Sequence, residues 1–284
     1  MATCKICNRR SRYIVENSCD DCKASGKILE ALVDLIDDKI RDCHELNTEE
    51  PEFRWLASLA ALYSDYRSLA HIYKYWTLIF EYIRHPGDSV SSRKIIERVR
   101  SLRDVAAWER FYENIGLLRH DGGRISIVEG SIAEKARITI ETRTSDAKQR
   151  ASFCVVGYVL LRIAEAIFNG RLNEIPDRHK KMRRFIASIP FFLTRFVEDQ
   201  KVRRSEFRRF LASRGVSMTE MIEKIEASLA GSDTKKRVDW FKERRWWGID
   251  EAVYEPDPYV ISLFERVREY VRERGRKRER EVTE

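Results

Sequence analysis

The chain has 284 residues, 35% of them charged, and a formal net charge of +8. This length is enough to bury a core and predicts two or three domains. The basic balance permits nucleic acid or acidic partners without requiring either. Six prolines, twelve glycines and long stretches of 3.6-residue periodicity predict a mainly helical protein.

No apolar run is long enough to cross a bilayer of about 30 Å, because the longest, 153–161, lies between Arg150 and Arg162. Basic residues also interrupt the N-terminal segment, which predicts no signal peptide and a reducing, cytoplasmic compartment. We expect no membrane contact, and the sequence leaves the oligomeric state open. Glutamine and asparagine are scarce while arginine and glutamate are abundant, a composition typical of thermophile proteins.

Two CxxC pairs open the chain, Cys4 with Cys7 and Cys19 with Cys22. Zinc binds four thiolates at about 2.3 Å, and a two-residue gap lets one tight turn present two sulfurs to the same ion. Four cysteines fill the four positions and leave none for water or substrate, so we expect one structural zinc ion. Two disulfides are the alternative, which a reducing compartment disfavours.

A short hairpin fits the eleven residues between the two pairs, and a helical pattern begins directly after Cys22. Its apolar stripe is Ile28, Leu32, Leu35, Ile36 and Ile40. A knuckle, a hairpin and a second knuckle that opens a helix resemble the treble-clef and zinc-ribbon families, over about the first forty residues. Cys43, beside His44, and Cys154, in an apolar segment, are interpreted as ordinary residues rather than ligands.

Three helical patterns and a hairpin signal follow one another in the middle of the chain. The first pattern covers 69–85, the second follows Ser92, and the third begins after Asp104 with apolar residues three and four apart. Gly116 lies close to the end of the third helix. Two short strands around the Asp-Gly-Gly sequence at 121–123 predict a hairpin.

This order of elements resembles the winged-helix family of DNA-binding domains. In that family the third helix enters the major groove and the hairpin, or wing, contacts the adjacent backbone. The resemblance implies nucleic-acid contacts from the third helix at Arg103, Arg110 and Asn114, and from the hairpin at Arg119, His120 and Arg124.

Acidic residues on the third helix argue against a simple DNA reader. Asp104, Glu109 and Glu113 accompany the arginines there, and phosphates would repel carboxylates that face the groove. A winged helix that docks another protein therefore stays an alternative.

The C-terminal half opens with an apolar helix, 147–169, and then becomes strongly basic. Residues 171–214 hold thirteen basic residues against five acidic ones. Interleaved arginines and aromatic residues suit nucleic acid, since guanidinium groups bind phosphates while aromatic rings stack on unpaired bases. Burial of the phenylalanines in a core is the alternative, because they recur at helical spacing. The expected phosphate contacts are Arg178, Lys180, Lys181, Arg183, Arg184, Lys201, Arg203, Arg204, Arg208 and Arg209.

A second basic and aromatic cluster, 235–247, combines three tryptophans with six basic residues. Tryptophan is costly to expose, so we expect most of these rings to pack in the interior. A final helix is predicted over 259–272, and the charged residues after it are expected to fray.

No catalytic set emerges from the sequence. It has no glycine-rich phosphate loop, HExxH motif or nucleophile elbow, and its five histidines are scattered. We therefore expect a protein that is not an enzyme, with a metal-dependent nuclease assembled from distant residues as the remaining alternative.

Taken together, these patterns predict a mainly α protein of three domains. A zinc ribbon or treble clef occupies 1–46, a winged-helix-like domain 51–145, and a basic helical domain 146–284. The expected function is binding of nucleic acid, DNA before RNA, in transcription regulation, replication or chromosome organisation, with association to the nucleoid. The alternative is a non-catalytic scaffold subunit of a polymerase, replisome or ribosome, docked to proteins through the zinc module or the winged helix.

Overall fold

The computed structural model describes residues 2–4, 10–11, 14–15, 18–64, 78–84, 90–91, 105–171, 202–203, 205–206, 208–209, 241–244 and 253–283. Over these residues the protein is mainly helical, as the sequence predicts. The helices are α1 (Asp20–Asp42), α2 (Pro51–Ser64), α3 (Val105–Asn114), α4 (Ile132–Thr142), α5 (Ser145–Phe168) and α6 (Pro258–Thr283). Residues 78–83, inside the first predicted helix of the middle region, are helical as well.

Short antiparallel strands make up the rest of the regular structure in the described part of the chain. They are β1 (Ala2–Thr3), β2 (Arg10–Ser11), β3 (Ile14–Val15), β4 (Ser18–Cys19), β5 (Val90–Ser91), β6 (Leu118–Asp121), β7 (Arg124–Ile127), β8 (Val202–Arg203), β9 (Phe241–Arg244) and β10 (Val253–Pro256). Strand β1 pairs with β2 and β3 with β4, while two three-stranded sheets have the orders β5-β7-β6 and β8-β10-β9.

The chain divides into two compact units. One comprises 1–36, 163–170 and 180–284, and the other comprises 37–162 and 171–179. Two of the boundaries, after Ile36 and after Arg162, fall inside α1 and α5. The predicted division into 1–46, 51–145 and 146–284 stays a prediction.

Helix α1 follows the apolar pattern of its sequence with a small rotation. It buries three residues of the predicted stripe together with Leu29 and Val33, whereas Ile28 and Leu35 are only half-buried. Periodicity located the helix correctly, because residues three and four apart share a face. It did not fix which edge of the stripe is covered, since that depends on the neighbouring elements.

Helix α3 ends at a glycine in the left-handed region, as its sequence predicts. Gly116 has a φ of +73° and donates its N–H to the carbonyl of Glu113 at 3.0 Å. The N–H of Leu117 reaches the carbonyl of Tyr112 at 2.8 Å. This pair of bonds is the Schellman arrangement, in which glycine adopts a conformation that strains other residues. The turn directs the chain from α3 straight into β6.

The predicted hairpin is confirmed. Strands β6 and β7 pair with Asp121 opposite Arg124, and the two residues between them, Gly122 and Gly123, have φ values of +53° and +82°. Two successive positive φ angles give the type I′ turn that matches the twist of paired strands. On its other side β7 pairs with β5, in which Ser91 lies opposite Arg124.

Helix α5 lies in the core and approaches α2 closely. A Cβ atom added at Gly157 would lie 2.1 Å from the carbonyl oxygen of Leu56. Cys154, one turn earlier, is fully buried and donates its thiol to the carbonyl of Phe53 at 3.1 Å. Burial raises the pKa of this thiol, so Cys154 is a core residue, as expected.

By length and composition alone, α5 could cross a membrane; among the described residues it is the one candidate of that kind. Of its most apolar stretch, 72% is buried inside the protein. This is weak evidence for a membrane span, because the core helix of a soluble protein has the same properties.

The sheet β8-β10-β9 was not predicted from the sequence patterns. Part of the basic and aromatic cluster at 235–247 forms β9, which pairs with β10. Asp257 precedes α6 and caps it, since its carboxylate accepts the N–H of Tyr259 at 3.3 Å, and Pro258 is the first residue of the helix. The expectation that the chain frays after Arg272 is not met, because α6 continues to Thr283.

Candidate metal centre and nucleic-acid interface

Three of the four predicted zinc ligands meet in the structure. Cys4 follows β1, Cys19 ends β4, and Cys22 lies in the first turn of α1. Cys19 lies opposite Ile14 in the hairpin of β3 and β4, and this pairing holds Cys19 in place directly before α1. Two hairpins and one helix start thus bring together cysteines that are up to eighteen residues apart.

The distances between the sulfurs fit a metal ion. The three Sγ atoms all lie within 4.8 Å of one another, and those of Cys4 and Cys22 are 3.8 Å apart. Ligands at about 2.3 Å around a tetrahedral ion are separated by about 3.8 Å. A disulfide needs about 2.05 Å between its sulfurs, and all three cysteines are free thiols. The cluster can therefore hold a metal ion, and the disulfide alternative does not describe it.

Burial and position support the same reading of the cluster. Cys4 and Cys22 are fully buried and Cys19 is 5% exposed. The N-terminal end of α1 carries a partial positive charge, which favours thiolates in its first turn. Cys7, the fourth predicted ligand, lies outside the described residues. Cys43 does not join the cluster: its thiol donates to the carbonyl of Ile40 at 3.4 Å.

Helix α3 presents a polar face opposite a fully buried one. Trp108 and Tyr112 are fully buried, and Phe111 is 1% exposed. Arg110 and Asn114, two of the predicted contacts, are exposed on the other side and lie one turn apart. A side chain on this face is available to a partner.

Glu109 does not lie on the exposed face of α3. It is 4% exposed and accepts a hydrogen bond from the hydroxyl of Tyr82. Burial, assisted by the bond to this carboxylate, raises the pKa of Tyr82, so the hydroxyl keeps its proton. Because the Glu109 carboxylate is buried, it cannot face phosphates, and the repulsion predicted from the sequence does not arise at this position.

Glu113 is exposed, and it bonds to the hairpin. Its Oε2 lies 2.9 Å from Nδ1 of His120. The hydrogen bond from His120 lowers the pKa of Glu113, so the carboxylate stays ionised. Sequence reasoning missed this pair, although a carboxylate in the last turn of a helix that leads into a strand bearing histidine is a signal for it.

Arg119 and Arg124 share one face of the hairpin. Arg119 lies opposite Ser126 and Arg124 opposite Asp121, so all four residues are on the same side of the two strands. His120, the third predicted hairpin contact, alternates to the other side. Arg119 and Arg124 are exposed, and no ion pair between described residues involves them or Arg110.

The predicted basic contacts of the C-terminal half are described only in part. Arg203, Arg208 and Arg209 are exposed. They belong to a different unit from the residues of α3 and the hairpin. Nine predicted site residues lie outside the described residues: Cys7, Arg103, Arg178, Lys180, Lys181, Arg183, Arg184, Lys201 and Arg204. All the nucleic-acid contacts stay predictions.

No family model, no curated protein and no solved structure matches this chain.

Proposed function

We propose that this protein binds nucleic acid, duplex DNA in the first place, through helix α3 and the hairpin of β6 and β7. The observation that supports the proposal is a set of exposed guanidinium groups, those of Arg110, Arg119 and Arg124, in one compact unit. Arginine suits phosphate contacts because its planar group donates several hydrogen bonds at fixed angles. Asn114 on the same helix face offers a side-chain amide of the kind that binds adenine.

The order of the elements supports a winged-helix architecture. A strand between helical segments, β5, pairs with the second strand of the hairpin and makes the sheet β5-β7-β6. Helix α3 directly precedes the hairpin, and the sharp turn at Gly116 joins them. In this architecture the third helix and the hairpin lie beside each other, and both can reach one duplex.

The cysteine cluster has a structural role in this proposal. Cys4, Cys19 and Cys22 supply three thiolates, and Cys7 is the proposed fourth ligand of one zinc ion. A closed site of four thiolates supplies no position for a substrate. The proposed role of the whole protein is accordingly non-catalytic, in the cytoplasm and in association with the nucleoid.

A salt titration tests the proposal. Binding to a duplex DNA of about 25 base pairs, followed by fluorescence anisotropy, should weaken steeply between about 50 and 200 mM salt because phosphate contacts release counterions. The variant that carries Arg110→Ala, Arg119→Ala and Arg124→Ala should bind more weakly, and the slope of its log affinity against log salt should fall by about 0.9 per lost contact.

The matched control is Lys148→Ala, which removes one positive charge from an exposed position on α5. It should leave the salt slope unchanged. Binding of the wild type that is independent of salt, or a triple variant that behaves like this control, would overturn the proposal. Equal affinity for duplex RNA would move the preference away from DNA.

The alternative, a scaffold that docks other proteins, predicts a different outcome. Partners that bind the tagged chain directly would remain bound to it after nuclease treatment. Partners that are bridged to it by nucleic acid would be lost. Retention after nuclease, together with the absence of salt-dependent binding to duplexes, would favour docking over the proposed function.

A further inference from the structure

The contact between Glu113 and His120 joins the two elements of the proposed interface. Glu113 lies in the last turn of α3, and His120 lies in β6, four residues after the glycine that ends the helix region. Their side chains are 43% and 32% exposed, and 2.9 Å separates carboxylate from imidazole. The contact therefore lies at the surface, between α3 and the hairpin, on the face of the hairpin opposite to Arg119 and Arg124.

Arg110 is the natural competitor for this carboxylate. Arg110 and Glu113 are three residues apart on α3, the spacing at which oppositely charged helix residues pair. The structure instead pairs Glu113 with His120, and Arg110 takes part in no ion pair between described residues. The guanidinium group of Arg110 is thus left exposed for a phosphate.

We propose that His120 is a positioning residue that holds the Glu113 carboxylate away from Arg110 and makes nucleic-acid binding dependent on pH. This inference rests on the proposed function. His120 contributes in two ways: its Nδ1–H binds the carboxylate, and its protonation adds a positive charge that offsets the charge of Glu113 next to a polyanion.

Among the residues that the structure describes, the charges around His120 leave Glu113 as its partner. On β6 the neighbouring residues Arg119 and Asp121 alternate to the opposite face of the hairpin. The residue opposite His120 on β7 is apolar, Ile125, and the nearest charge on that strand, Arg124, is on the far face as well. From α3 the group that meets the imidazole is Glu113.

The direction of the pH effect follows from these charges. Protonation gives an imidazole a positive charge as the pH falls, while the Glu113 carboxylate stays ionised because the hydrogen bond from His120 lowers its pKa. Lowering the pH from 7.5 to 5.5 thus favours the protonated imidazole and makes the interface more positive. We expect duplex DNA to bind about three- to tenfold more tightly at the lower pH.

A set of variants tests the inference by duplex binding at pH 5.5 and 7.5 in the full-length protein. His120→Ala should weaken binding at both pH values and remove most of the pH effect. His120→Gln keeps a hydrogen-bond donor without a titrating charge, so it should retain most of the affinity at pH 7.5 and lose the gain at pH 5.5. Glu113→Gln should bind more tightly than the wild type.

The decisive comparison is the double variant. At pH 7.5, if His120 acts through Glu113, adding His120→Ala to Glu113→Gln should change the affinity less than twofold, because no carboxylate remains to be held. A loss as large as in the wild-type background would overturn the inference, and so would a pH effect that persists in His120→Ala.

A measurement without nucleic acid separates this inference from the proposed function. In NMR titrations the Glu113 carboxyl should titrate at lower pH in the wild type than in His120→Ala. An unchanged titration would show that the contact is absent and would overturn the inference even if DNA binds. The expected titration without any duplex binding would instead overturn the proposed function, and the inference that rests on it.

Discussion

At the scale of single residues, the surroundings of a side chain decide what its charge can do. Glu109 and Glu113 lie one turn apart on α3, yet the first is buried against Tyr82 and the second is exposed against His120. The difference arises because Glu109 follows Trp108 on the covered side of the helix. Two glutamates on the same helix thus differ in role, because one lies in the core and the other lies at the surface.

The buried pair gives a prediction for stability. Tyr82→Phe removes a hydrogen-bond donor from a buried carboxylate, and we expect the free energy of unfolding to fall by about 1–3 kcal/mol in urea titrations. The control is Glu113→Gln, which alters an exposed carboxylate on the same helix and should change stability little. A Tyr82→Phe variant as stable as this control would contradict the structural role.

The same pair predicts how stability depends on pH. The pKa of Tyr82 is raised in the folded protein, so folding favours the protonated hydroxyl. Its contribution is complete below about pH 10, where the unfolded tyrosine titrates, and it is lost as the pH rises further. As the pH rises above 10, the free energy of unfolding should fall less in Tyr82→Phe than in the wild type.

At the scale of elements, close helix packing depends on one small residue. The carbonyl of Leu56 on α2 occupies the space that a side chain at Gly157 on α5 would need. Glycine in a helix is unfavourable compared with alanine, so its presence here marks a close approach of two backbones rather than a preference of the helix.

Gly157→Ala should therefore destabilise the protein by about 1–3 kcal/mol, because the two helices must separate to admit the methyl group. Gly26→Ala is the matched control in another helix, since its added Cβ would meet only ordinary contacts, at 3.5 Å from Phe168. That substitution should be neutral or stabilising by up to about 1 kcal/mol. Thermal unfolding of both variants measures the contrast, and equal behaviour would contradict the close approach.

The short N-terminal strands carry the cysteine cluster. Hairpins with two residues per strand, such as β1 with β2 and β3 with β4, are not stable alone. We expect their order to depend on a metal ion, which the cluster of Cys4, Cys19 and Cys22 can hold. Binding free energy of a structural zinc ion acts directly as folding free energy.

Metal analysis checks this attribution. We expect about one zinc ion per chain, lost on chelation or in the double variant Cys4→Ser with Cys22→Ser, together with the order of the N-terminal hairpins. Cys43→Ser, a cysteine outside the cluster, should keep the metal. Full metal content in the double variant would show that the ligand assignment is wrong.

At the scale of the whole molecule, the positive charge is spread over both compact units. The guanidinium groups of α3 and the hairpin belong to one unit, and those of Arg203, Arg208 and Arg209 belong to the other. The proposed function uses the first set alone. The basic segment 171–214 adds affinity if it contacts the same polyanion, since each phosphate contact adds to the salt dependence.

The sequence by itself determined the features that depend on near neighbours in the chain. The CxxC spacing located the three cysteines that cluster, Gly116 located the end of α3, and the Asp-Gly-Gly sequence located the hairpin. Each of these is set by the geometry of a few consecutive residues, which composition and spacing reveal directly.

Only the tertiary structure decided what each face of an element meets. It rotated the buried stripe of α1, turned Glu109 inward, and paired Glu113 with a histidine seven residues away. It also formed the sheet β8-β10-β9 from strands that are up to fifty residues apart. Periodicity assigns a residue to a side of a helix or strand, but burial and pairing depend on distant segments that local patterns do not contain.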